Sequence, residues 1–304
     1  MQILRRIYAR LLLLFFVLAL LVGHAVAQAA PAAAECHELR VMTFNIRYGS
    51  APDGENHWSK RRQMVFDLIA RNRPDVVGLQ EALRFQIVEI LAAAPGYETF
   101  GVGREDGKQL GEHSAVLYRT ERLAVLEQGD FWFSDTPEVP GSKTWGNQIT
   151  RVCSWARFKD QVSGKGFYLY NLHLDHISQP SREKSAVLLM ERVSRRSTGE
   201  PVILTGDFNS GESNPALRYV KGEAAIERAP PSQVAFRDTF RVLYPDATEV
   251  GTFHAFKGTR SGDKIDHILI SPSIEVREAA ILRDEEAGRY PSDHFLVTAT
   301  LCLP

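Results

Sequence analysis

The sequence predicts an α/β (α+β) fold in which two packed, mixed β-sheets are flanked by helices. Three observations carry this expectation. Apolar strand-like runs alternate with amphipathic stretches along the chain from residue 39 onward. Several of these runs are apolar on both faces, as strands covered on both sides are. Segments with a helical period are few, so much of the covering has to come from sheet against sheet.

In chain order, strands are expected at residues 39–46 (LRVMTFNI), 75–81 (DVVGLQE), 114–119 (SAVLYR), 151–158 (RVCSWARF), 167–174 (FYLYNLHL), 201–208 (PVILTGDF), 264–270 (KIDHILI) and 294–301 (HFLVTATL). Helices are expected at 61–72, where Met64, Val65, Leu68 and Ile69 share a face, at 84–93, and at 181–195, where Ala186, Val187, Met190 and Val193 form a stripe. Residues 129–150 read as a long loop. Such loops are functional or disordered, and Trp132 and Trp145 argue against disorder here. No linker divides the chain, so residues 36–304 read as one domain.

The N-terminus has the pattern of an export signal. Arg5, Arg6 and Arg10 precede the apolar run 11–22, and Ala25-Val26-Ala27 follows as a small-residue cleavage site. The apolar run is shorter than the roughly 20 residues that a bilayer span needs. A signal peptide over 1–27 and a secreted or periplasmic mature protein are therefore expected. Its removal takes three arginines and no acid, moving the formal net charge from −1 to −4. A mildly acidic protein lacks the broad positive field that holds polyanions, so no stable nucleic-acid partner is expected.

The polar residues at strand ends are the informative pattern. Apolar runs end on Asn45, Glu81, His173 and the pair Asp207 and Asn209; others begin at Asp266 and at Asp293-His294. In a mixed sheet, strands of one direction end at the edge where opposite strands begin, so all of these groups can meet at one edge, where chemistry is normally mounted. Each alone is readily a turn residue or a helix cap; six coincidences are harder to dismiss. Asn and carboxylate oxygens are hard ligands suited to Mg²⁺ or Mn²⁺, and no Cys/His spacing suggests zinc. His173 and His294 can exchange protons near neutral pH. Asp207 and Asn209 share a face if the chain stays extended, so one can act on a water while the other holds a phosphate.

The strings TFNIRYG, PDVVGLQE, NLHLDH, LTGDFNS, KIDHILIS and YPSDHFLV occur in that order. They resemble the endonuclease/exonuclease/phosphatase superfamily, which includes deoxyribonuclease I-like nucleases, apurinic endonucleases, inositol phosphatases, sphingomyelinases and deadenylase-like enzymes. The resemblance covers about residues 39–301. GVGREDGK, GEHSAVLYR, FWFSDTPEVPGSKTW and GTFHAFKG look like a bacterial, partly exported subgroup. The resemblance implies a four-layer sandwich of the deoxyribonuclease I-like kind. It implies a metal site of Asn45, Glu81 and Asp293, with Asp207 activating water and Asn209 orienting the phosphate. It also implies that His294 contacts the scissile phosphate with Asp266 behind it, and that His173 is a second histidine paired with Glu112. Arg151 is a candidate phosphate contact. His267, where many relatives have an aromatic residue, reads as packing or polar support.

If the first and last strands are antiparallel neighbours, Cys36 and Cys302 fall together at the far edge, and a disulfide between them is expected; Cys153 reads as a buried thiol. The expected activity is metal-dependent hydrolysis of a phosphate ester, diester or monoester, by in-line attack of activated water, on a small or lipid-linked phosphate in preference to nucleic acid. The competing uses are an extracellular endo- or exonuclease and a catalytically inert binding protein on the same fold; the intact set of site residues argues against the last.

Overall fold

Residues 38–45 show how the sequence builds layers. Leu39 and Val41 pack into a core shared with Phe158, Leu169 and Ile203, whereas Met42 and Phe44 pack the other way, with Val65, Leu68 and Ile69. Both faces are buried from Val41 onward, so that stretch is mostly apolar, whereas Arg40 at its start is exposed.

The computed structural model describes residues 36–304 apart from 228 and 233; the expected signal peptide lies outside the described residues. The strands are β1 (Glu38–Asn45), β2 (Val76–Gln80), β3 (Tyr97–Phe100), β4 (Val116–Arg119), β5 (Leu123–Trp132), β6 (Val152–Asp160), β7 (Gly166–His173), β8 (Val202–Asp207), β9 (Arg237–Asp238), β10 (Asp266–Ile270), β11 (Glu275–Leu282) and β12 (Leu296–Cys302). The helices are α1 (Trp58–Asn72), α2 (Arg84–Ala93), α3 (Gln179–Ser194), α4 (Pro215–Val220) and α5 (Thr239–Leu243). One sheet runs β11-β12-β1-β2-β4-β3, the other β5-β6-β7-β8-β10-β9. Each holds one parallel pair, β1/β2 and β7/β8, joined by a helical crossover, α1 or α3. One core lies between the sheets, one beneath α1 and α2, and one beneath α3 and α4. This is the four-layer sandwich.

The eight expected strands are the eight inner ones. The four without an expectation, β3, β5, β9 and β11, are the four sheet edges. The loop expected over 129–150 starts later, because Gly129–Trp132 complete β5. The rest is ordered by side-chain bonds: Trp132 Nε1 donates to Arg104 O, and Trp145 Nε1 donates to Asp135. β12 pairs antiparallel with β1, and Glu38 lies opposite Cys302. Cys36 and Cys302 are disulfide-bonded, and Cys153 is the buried free thiol. No helix of the described residues is long and apolar enough to cross a membrane.

Directly beneath the site-bearing edge, polar groups tie the sheets together. Asn171 Nδ2 donates to the carbonyls of Leu79 and Ala115, and Asn171 Oδ1 accepts from Gln80 Nε2 (2.7 Å) and Thr205 Oγ1 (3.1 Å). The approach is close because residue 78 has no side chain. A Cβ there would lie 2.3 Å from Asn171 Oδ1 and 2.4 Å from Thr205 Oγ1. Gly78→Ala is therefore expected to cost about 1–3 kcal/mol of stability, seen as a lower Tm in thermal denaturation; an unchanged Tm would mean that the sheets part here freely.

Candidate active site

Strand register assembles the site. His173 is the register partner of Asp207, and Asp207 of Asp266, so β7, β8 and β10 present three functional groups in a row. On the facing sheet Asn45 ends β1, Glu81 follows β2, and Asp293-His294 lead into β12. Ser292 Oγ donates to Asn45 O (2.6 Å), fixing that last segment against β1.

Asn45 bridges the sheets. Its Nδ2 donates to Glu81 Oε1 and to Asp207 Oδ2, both at 3.0 Å. The Tyr48 amide donates to Glu81 Oε2 at 3.2 Å. His294 Nδ1 donates to Asp266 Oδ2 at 2.9 Å, while its Nε2 lies 3.8 Å from Asp207 Oδ2. The Asn209 amide donates to Asp207 Oδ1 (2.8 Å), and Asn209 Nδ2 to Leu174 O (3.0 Å), leaving its second amide hydrogen for another acceptor.

The electrostatics follow from burial. Asp207 is fully buried; that desolvation and the Asp266 carboxylate raise its pKa well above the ordinary range. Burial opposes the charged form of His294, yet Asp266, Asp207 and Asp293 outweigh it and push its pKa up to about 10. A proton held on His294 thus lies between two carboxylates. His173, with Nε2 at 3.5 Å from Asp207 Oδ2, is driven the other way, first by burial and then by the Arg151 guanidinium, and is neutral.

Glu81, Glu112, Arg151, His173, Asp207, Asn209, Asp293 and His294 all line one cavity of about 670 Å³; Asn45 and Asp266 lie bonded behind it. The arrangement differs from expectation at Glu112. Its carboxylate forms a two-pronged pair with Arg104 (2.6 and 2.8 Å), and no bond joins it to His173 among the described residues. Arg151 is buried, with Nη2 3.0 Å from His176 Nδ1 and Nε without a hydrogen-bond partner. The wall also contains Arg47, Arg104, His176 and Phe253, which the strand-end pattern missed because they sit in loops between strands. Of seven described non-glycine residues with positive φ, five line this cavity: Arg47, Glu81, Asn209, Ala255 and Phe256. Strained backbone gathers at functional sites.

Two groups could hold a cation. Asp293 is held above the ordinary carboxylate range by burial, and Glu81 adds to the rise against the pull of His294. Glu81 and Asp293 therefore offer oxygen ligands whose repulsion a cation would relieve, and their chemistry fits Mg²⁺ or Mn²⁺. Asp207, Asp266 and His294 bring ligand atoms within 4.8 Å of one another, and Asp266 Oδ1 is buried without a hydrogen-bond partner.

Residues 42–294 match the model of the Endonuclease/Exonuclease/phosphatase family. A solved protein of that family from Bacteroides thetaiotaomicron superposes with a TM-score of 0.79 at 34% identity, covering 88% of this chain and 96% of its own. A mannosyl-6-phosphatase from the same organism gives a TM-score of 0.77 at 35% identity, covering 86% and 99%. Nocturnin of Drosophila melanogaster is 22% identical over 314 residues, 90% of this chain but 48% of its own length. The sandwich, its strand-end residues and these matches make the chain a member of the endonuclease/exonuclease/phosphatase family.

Proposed function

We propose that the protein is a metal-dependent hydrolase of a small phosphate ester, with a sugar phosphate as the favoured substrate class. The observation that carries the reading is the cavity onto which the acid and base groups converge; about 670 Å³ suits a small ligand. The 35% identity to a mannosyl-6-phosphatase, across nearly all of both chains, supports the substrate class. The disulfide supports export, with residues 1–27 as the signal peptide and residues 36–304 as the catalytic domain.

Asn45, Glu81 and Asp293 would hold Mg²⁺ or Mn²⁺, which when bound supplies neutralisation of the charge on the phosphoryl oxygens. Asp207 takes a proton from the attacking water, and Asn45 and the Asn209 amide fix its two oxygens. The water oxygen bonds to phosphorus while the ester P–O bond breaks on the opposite side, its electron pair leaving with the alcohol oxygen, which takes a proton from solvent. His294, held protonated by Asp266, hydrogen-bonds a phosphoryl oxygen. Neutral His173 flanks Asp207 and orients the water. Arg151 contributes a guanidinium to the phosphate, and the Asn209 side chain holds it through its free hydrogen. Glu112 acts by fixing Arg104.

The mature protein is to be assayed with p-nitrophenyl phosphate, bis-p-nitrophenyl phosphate, hexose phosphates, plasmid DNA and RNA, with Mg²⁺ or Mn²⁺. The expected result is turnover of the monoesters, abolished by EDTA and restored by added metal. Cleavage of DNA or RNA alone would replace the reading with a nuclease, and no turnover of any substrate would sink it. Asp207→Asn is expected to lower kcat by about 10²–10⁴-fold with little change in Tm. Arg151→Met is expected to raise KM about tenfold or more, the loss of a charge-assisted contact, with a smaller change in kcat.

A further inference from the structure

Behind the Asp207–Asn209 turn, on the side away from the cavity, lies a buried ionic cluster that the reaction above does not use. Lys264 is 1% exposed, His267 fully buried and Asp238 4% exposed. Lys264 Nζ donates to Asp238 Oδ2 at 2.6 Å and lies 2.9 Å from His267 Nδ1; His267 Nδ1 is 2.7 Å from the same Asp238 oxygen. His267 Nε2 is 3.1 Å from the carbonyl of Ser210. A carbonyl only accepts, so Nε2 carries a proton and donates it. The imidazole is wedged edge-to-face against Phe208, so it has little freedom to turn.

The same cluster reaches the loop by a second route. Asp238 Oδ1 accepts from the Phe240 and Arg241 amides and so caps α5, and Arg241 on α5 grips Glu212 with two prongs at 2.6 and 2.7 Å. The turn is thereby held at Ser210 and Glu212, immediately after Asp207 and Asn209. It needs holding, because Asn209 has a left-handed φ of 44°. Burying a lysine, an aspartate and a histidine is expensive, and apolar residues of similar volume usually serve stability as well or better. What apolar residues cannot supply here is a donor aimed at Ser210 O.

We propose that His267, oriented by Lys264 and Asp238, is a positioning residue that sets the placement of Asp207 and Asn209 through the Ser210 carbonyl. The proposal rests on the phosphoesterase reading for its kinetic consequence, but not for its structural one. His267 touches no substrate and acts through the turn.

Three variants test it: His267→Phe, which removes every polar atom; His267→Gln, whose amide nitrogen matches Nε2; and His267→Asn, whose amide nitrogen matches Nδ1. Each is assayed on p-nitrophenyl phosphate with Mg²⁺, and hydrogen exchange of the peptide spanning residues 207–214 is followed by mass spectrometry. The Phe and Asn variants are expected to lose about tenfold to hundredfold in kcat with KM within about twofold, and to exchange faster in that peptide but not in β7. The Gln variant is expected to rescue both readouts. If the Phe variant does not fold, the Gln/Asn contrast decides. Equal kcat and exchange in the Gln and Asn variants, or kcat and KM moving together with Tm, would overturn the proposal. A parent without turnover would overturn the phosphoesterase reading, while the exchange rates would still decide whether His267 holds the turn.

Discussion

The distance between the two sheets is fixed by polar contacts just beneath the site-bearing rim, and the site depends on that distance. Asn171 offers both ends of its amide to the opposite sheet, and Gly78 leaves the room for it. The residues engaged there, Thr43, Asn171 and Thr205, each sit two positions before a site residue: Asn45, His173 and Asp207. Positions two apart on a strand face the same way. The pleat therefore carries the register of the network straight to the rim, and the 3.0 Å bond from Asn45 to Asp207 across the sheets follows from it. An apolar contact would fill the same gap without fixing its width, since only hydrogen bonds are directional at this scale.

Above that layer charged side chains of both signs meet. Acidic and basic groups alternate around the cavity: Arg47 lies 3.8 Å from Asp293, His173 3.5 Å from Asp207, and Arg104 is paired with Glu112. The left-handed residues around the rim show that the loops are bent to serve this arrangement, at a conformational cost that the packed layers beneath can bear.

How much of this was legible in the sequence depended on burial. The eight inner strands are covered on two faces and read as apolar runs. The edge strands are not: β5 and β11 carry bulges, at Val125/Glu127 and Val276/Glu278, and β11 exposes Glu275, Arg277 and Glu278, as unpaired edges do. The same asymmetry holds for the site. Asn45, Glu81, Asp207, Asp266 and Asp293 stood out because each interrupts or borders an apolar run. Arg47, Arg104 and His176 sit in loops where a charge is unremarkable, and no local pattern marks them. The partner of Glu112 was misjudged because Arg104, eight residues earlier, returns to it across a tight loop, a closure that spacing does not reveal.

The place of β12 has a consequence for synthesis. It inserts between β11 and β1, and it brings Asp293 and His294 to groups that lie near the start of the fold, Asn45 among them, 249 residues away from His294. A chain still being made lacks two of the site's groups and the strand that carries them into the sheet. The site is therefore incomplete until the last strand of the fold is in place.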